Sequence, residues 1–175
     1  MRELDRNTVP RERLRDAVDL RRAQWARELP DLDTMPMAVL GRIWRIANMV
    51  APGIEATFKA FGLERGEFDV ISTLRRSGPP YRLTPTELYT MLMISSGGLT
   101  HRLDRLEKAG LIRREASEQD GRSRVVALTD KGVETAEEAF RADMAQEAQT
   151  LSRLAPEDRD ALADLLRKLT LAVEG

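Results

Sequence analysis

The chain of 175 residues has no cysteine, a single histidine, two Trp, two Tyr and four Phe. Without cysteine there is no disulfide framework, no Cys-ligated zinc, no thiol nucleophile and no thiol redox sensor, which suits a reducing cytoplasm. One histidine and no paired metal-ligand motif leave little for metal or acid–base catalysis. The run "SSGG" at 95–98 opens a helix but lacks the Lys-Ser/Thr that a phosphate-binding loop requires, so an enzyme is not expected. No apolar run approaches the roughly 20 residues that span a bilayer. The opening "MRELDRNTVPRERLRD" is too charged for a secretory signal, and a cytoplasmic protein is expected.

The chain also lacks an excess of one charge, its formal net charge being −1. The distribution is uneven. Residues 1–128 hold 22 basic and 18 acidic side chains, whereas residues 129–175 hold 6 and 11. The C-terminal part is therefore a poor surface for a polyanion, and any such contact falls to arginines placed earlier.

What is present is mostly helical periodicity. Pro10 suits the first turn of a helix running to about Leu29, with Leu14, Ala17, Val18 and Trp25 at helical spacing. A second helix, from about Met35 to Phe61, carries Val39, Ile43, Ile46 and Val50, and Pro52 and Gly53 are expected to bend or interrupt it. A third, from Glu64 to Arg76, ends at "SGPP".

The stretch "TPTEL" then starts a two-turn helix with Thr84 as cap, Pro85 in the first position and Glu87 closing a capping box. After "MISS" another helix is expected, capped by Ser95 or Ser96, with Leu99, Leu103 and Leu106 as its buried stripe and Gly110 as its stop. Two helices around so tight a turn form either a helix-turn-helix or an ordinary helical hairpin. The runs "LIRRE" and "SRVVAL", joined by a polar loop with Asp120 and Gly121, read as a β-hairpin and favour a winged helix. Thr129 caps a long helix to about Thr150. A last helix from Pro156 sets Leu162, Leu165, Leu166, Leu169 and Val173 on one stripe.

The run "LTHRLDRLEKAGLIRR", followed after "EASEQ" by "DGRSRVVALTDKG", resembles the MarR family of bacterial transcription regulators. The resemblance covers nearly the whole chain. It implies a mainly α fold with a small β wing: a winged helix-turn-helix with long N- and C-terminal dimerisation helices. The corresponding division is 1–62 for N-terminal helices, dimerisation and a ligand-pocket wall, 63–128 for the DNA-binding lobe and 129–175 for C-terminal dimerisation helices, all in one intertwined unit. It also implies a homodimer that represses transcription and leaves double-stranded DNA when a small-molecule effector binds. Few aromatics and long leucine stripes agree with terminal helices that bury against a partner. A twofold dimer sets its reading helices about 34 to 36 Å apart, which predicts a pseudo-palindromic site.

On the reading helix the leucine stripe faces inward and leaves Ser95, Ser96, Gly98, His101 and Arg105 for DNA. The helix N-terminus favours phosphate, and arginine can fork onto guanine. In the wing, Asp120 and Arg122 are read as a brace, with Arg122 also on the DNA-facing rim and Arg124 free for phosphate or groove contact.

A narrower resemblance is to the urate-responsive branch of the family, which has an extra N-terminal helix. It implies a ligand-binding quartet of Trp25 in "RRAQWARELPDLD", Asp69 in "GEFDVISTL", Arg102 in "THRLDRL" and Arg114 in "LIRRE". An aromatic face stacks a flat ligand, guanidinium groups hold anionic oxygens and a carboxylate accepts from ring N–H groups. The expected effector is urate-like, phenolic or a carboxylate metabolite, with no metal and no other cofactor. Each residue also has a plainer reading: Trp25 as core, Asp69 as a surface ion pair with Arg65, and Arg102 and Arg114 as DNA contacts or solvated cations. A winged-helix module for protein partners without DNA binding is the alternative function, and activator versus repressor stays open.

Overall fold

The structure is a computed structural model describing residues 15–92, 98–116 and 124–175. The chain divides into two compact units, one up to Ala51 and one from Pro52 onward.

The first unit begins with α1 (Ala17–Glu28) and continues into α2 (Met35–Ala60). Asp16 caps helix α1, and the start expected at Pro10 lies outside the described residues. The Asp16 carboxylate accepts from the Val18 and Asp19 N–H groups, and the Asp19 side chain accepts in return from the Asp16 N–H. The Asp19 backbone hydrogen bond and then the Arg42 guanidinium lower the Asp16 pKa to about 2. Arg42 ties α2 to this cap through ion pairs of 2.9 Å to Asp16 and 2.7 Å to Asp19. Pro52 does not interrupt α2, which continues to Ala60 and enters the second unit.

The second unit holds the main core. Helix α3 (Arg65–Arg76) buries Val70, Ile71 and Leu74 completely, against Leu88 of α4 (Pro85–Met91) and Leu103 and Leu106 of α5 (Leu99–Lys108). Both start signals of α4 are realised, with Thr84 as cap, Glu87 closing the box and Pro85 in the first turn. Helix α5 departs from expectation. Its cap is Gly98 at φ 75°, a left-handed conformation that glycine adopts without a Cβ penalty. Gly110, at φ 71°, follows its end as anticipated.

Three strands complete the lobe, in the order β1-β3-β2. The hairpin pairs β2 (Ile112–Ala116) with β3 (Arg124–Leu128), Ile112 opposite Leu128 and Ala116 opposite Arg124. Strand β1 (Arg82–Leu83) adds to the other edge of β3, with Arg82 opposite Ala127. Two residues are too few to show a period, so the sequence hid this strand. Thr129 caps α6 (Asp130–Leu151) by accepting from the Gly132 N–H at 3.0 Å, and α7 (Pro156–Glu174) follows.

Candidate nucleic-acid interface

Core packing fixes which face of α5 is available. With Leu103 and Leu106 buried and Leu99 packed against the core, Gly98, Thr100 and His101 are exposed. Helices α4 and α5 meet at a hollow lined by Pro85, Thr86, Tyr89, Gly98, Leu99 and Thr100. Sequence reasoning does not single out exposed Thr86 and Tyr89. Their signal lies in the general geometry of the motif, in which the first helix crosses the DNA backbone while the second enters the major groove. Ser95, Ser96, Asp120 and Arg122 lie outside the described residues. Arg124, exposed, is the first residue of β3.

Arg105 is placed differently from a free base reader. Its Nη1 is 2.6 Å from Glu64 and its Nε is 2.7 Å from Glu67. Glu67 is only 3% exposed, and its other oxygen accepts from the Glu64 N–H at 2.8 Å. The carboxylate that closes the capping box of α3 thus also holds the reading helix. To reach a phosphate, Arg105 must exchange at least exposed Glu64 for it.

The quartet residues are divided between the two units, Trp25 in the first and Asp69, Arg102 and Arg114 in the second. Trp25 lies in the first unit and is 49% exposed, so it is not core. Asp69 lies in α3 and is buried, at 7% exposure, rather than on the surface. Arg102 lies over the first turn of α3, where a Cβ at Gly66 would collide with its guanidinium. Arg114 donates to Asp104 at 2.6 Å and has Glu107 at 3.6 Å, so β2 grips α5 just as Glu67 grips it from α3.

Two successive helices, an inward leucine stripe on the second and an antiparallel strand pair after it define a winged-helix DNA-binding lobe. The MarR family model matches residues 61–123. The transcriptional regulator PecS of Dickeya dadantii is 38% identical over 146 residues, covering 83% of this chain and 88% of that one. The uncharacterized regulator YkoM of Bacillus subtilis is 33% identical over 110 residues, covering 63% and 70%. Among solved structures, the MarR-family regulator AbsC of Streptomyces coelicolor has a TM-score of 0.70 at 26% identity, covering 82% of this chain and 97% of that one. Sco3205 of the same organism, solved in complex with DNA, shares the fold with a TM-score of 0.68 at 24% identity, covering 81% and 93%.

The chain belongs to the MarR family of transcription regulators and is a PecS-like, DNA-binding member rather than an enzyme. Family membership sets aside the reading as a protein-interaction module. Among the described residues, no helix is long and apolar enough to cross a membrane.

Proposed function

We propose that the protein is a cytoplasmic homodimeric repressor that binds a pseudo-palindromic operator and is released by a small anionic or aromatic metabolite. The observation that carries the dimer is α7, which has no buried residue while Leu162, Leu165, Leu166, Leu171 and Val173 lie exposed. A face of this kind costs solvation free energy in an isolated chain and is stabilised by a matching face on a second copy. In this reading the helices within 1–62 and 129–175 dimerise, and 63–128 reads DNA. Sedimentation equilibrium tests the assembly: twice the chain mass at micromolar concentration is expected, and the mass of a single chain refutes it.

On DNA, the Gly98 end of α5 approaches phosphate, His101 contacts base edges or backbone, and Arg124 contacts a phosphate or enters the groove beside the wing. DNA contacts are also proposed for Ser95, Ser96 and Arg122, and a pairing with Arg122 for Asp120, all four outside the described residues. Arg124→Ala is expected to lower affinity evenly across sequences and to flatten the salt slope by about one. Fluorescence anisotropy over a salt series checks this.

For release, the reading assigns the effector to Trp25, Asp69, Arg102 and Arg114. Support comes from the contact of Arg102 with the first turn of α3, the helix that carries Asp69. A ligand that engages Arg102 pulls on the reading helix itself. Arg102→Ala and Asp69→Ala are expected to lose ligand-driven release from operator DNA. Retention of both DNA affinity and release by either variant contradicts the assignment.

A further inference from the structure

Arg105 lies one turn after His101 on the exposed face of α5, the face that the leucine stripe leaves for DNA. Its guanidinium turns away from His101 and toward the start of α3. There Nη1 meets Glu64 at 2.6 Å and Nε meets Glu67 at 2.7 Å. The two carboxylates are unequal partners. Glu67 is almost wholly buried and is fixed by accepting from the Glu64 N–H, so it keeps its place whatever binds outside. The Glu64 side chain is 68% exposed and that of Arg105 44%.

The trio carries a net negative charge at a place where a lone arginine would carry a positive one. A duplex brought to this face therefore meets Glu64 twice, as a charge like its own and as a rival for the same N–H donors. The division of labour follows from burial. Glu67 retains Nε and with it the direction of the side chain, while Nη1 can trade one partner for another. An exposed pair of this kind is weak enough to exchange without unfolding anything, yet its loss costs up to about fivefold in an equilibrium constant.

We infer that Glu64 is an affinity-setting residue: it occupies Nη1 of Arg105 in the free protein and cedes it to a DNA phosphate on binding. Every duplex, operator or not, is then bound more weakly than an unpaired Arg105 would allow. The inference rests on the DNA binding described above and gives Arg105 a phosphate rather than a base. Its consequence is a protein that leaves DNA at lower salt than it otherwise would.

Fluorescence anisotropy of the full chain tests this at one low salt concentration, on a labelled duplex from its own upstream region and on an unrelated duplex. Glu64→Gln keeps the length of the side chain and an acceptor oxygen but removes the charge. It is expected to bind both duplexes about threefold to fivefold more tightly. Removing any carboxylate near DNA has some effect of its own, so the decisive comparison is a cycle with Arg105→Ala. Arg105→Ala alone is expected to bind about threefold more weakly or worse, and Glu64→Gln to gain less than about 1.5-fold in that background. Glu64 is exposed, so the Tm of Glu64→Gln is expected to stay within about 2 °C of the parent.

Unchanged or weaker binding by Glu64→Gln overturns the proposal. So does an equal gain in the Arg105→Ala background, which makes Glu64 a general repulsive charge. A gain confined to the upstream duplex overturns it as well, by making Arg105 a base reader. A parent chain that binds neither duplex overturns DNA binding and this inference together, whereas a parent that binds, with no gain in Glu64→Gln, overturns this inference alone.

Discussion

Gly132→Ala is expected to destabilise the protein by about 3 kcal/mol or more, because a side chain there has to displace backbone rather than another side chain. Leu111 ends the turn after the reading helix, and its carbonyl accepts from the Thr129 N–H at 3.0 Å. The same junction carries the Thr129 hydroxyl, which donates to the Gly110 carbonyl at 2.7 Å and caps α6 by accepting from Gly132. A Cβ at Gly132 would fall far inside the van der Waals contact distance of the Leu111 carbonyl oxygen, and lie 3.1 Å from Leu128 Cδ2. Relieving that overlap moves α6 away from the start of β2, and with it the cap, the sheet and the end of α5. Urea unfolding measures the loss, and a fall in Tm of about 10 °C is its thermal counterpart. Gly53→Ala is the internal comparison. Its Cβ would meet only the Gln146 amide, at 2.9 Å, and that flexible side chain can turn away. Alanine also favours the helix there, so the net change is expected within about 1 kcal/mol of zero. Similar losses in both variants would contradict the assigned packing at Gly132.

The second large effect concerns assembly. Replacing both Leu165 and Leu166 by Asp is expected to separate the dimer and reduce operator affinity about a hundredfold or more. Two linked lobes gain that factor over one because the second binds at high effective concentration. Both leucines are exposed in the single chain, so the substitution removes little from its own core. Circular dichroism is therefore expected to stay unchanged while sedimentation shows monomer. A variant that remains dimeric and retains operator affinity would exclude this face as the interface.

Local chemistry made much of the fold legible. The Thr84–Glu87 capping box, the Thr129 cap, the Gly110 stop and the leucine stripe of α5 depend on residues within a few positions of one another, so sequence spacing carries them. The misreadings have equally specific causes. Serine is a favoured cap, but α5 starts on Gly98 because the chain enters it through a left-handed residue. Pro52 and Gly53 read as a bend or an interruption, and interruption is set aside because α2 runs through Pro52. Strand β1 forms only because β3, more than forty residues later, offers it an edge.

The site is harder to read because its decisive contacts are long-range. Arg105 looks like a solvated cation on a helix face, yet Glu64, 41 positions earlier, and buried Glu67 hold it. No local pattern announces that pairing. Asp143 likewise sits in a long helix with no local signal; its burial beside α3 leaves an oxygen without a donor among the described residues. Arg114 is readable as a ligand or DNA group, and the fold places Asp104 and Glu107 of α5 beside it, contacts that no local pattern announces. The reading helix is consequently braced on two sides by charged contacts that any regulatory movement has to loosen.

DNA recognition itself is tested most directly by anisotropy of the full chain on a labelled duplex from its own upstream region, titrated across salt concentration with unrelated duplex as competitor. Affinity is expected to fall by about 10³ to 10⁵ between roughly 50 and 200 mM salt, as for a protein that neutralises six to ten phosphates, and the upstream duplex is expected to outcompete the unrelated one. Absence of binding at the lowest salt, or binding indifferent to salt and sequence, would contradict the account.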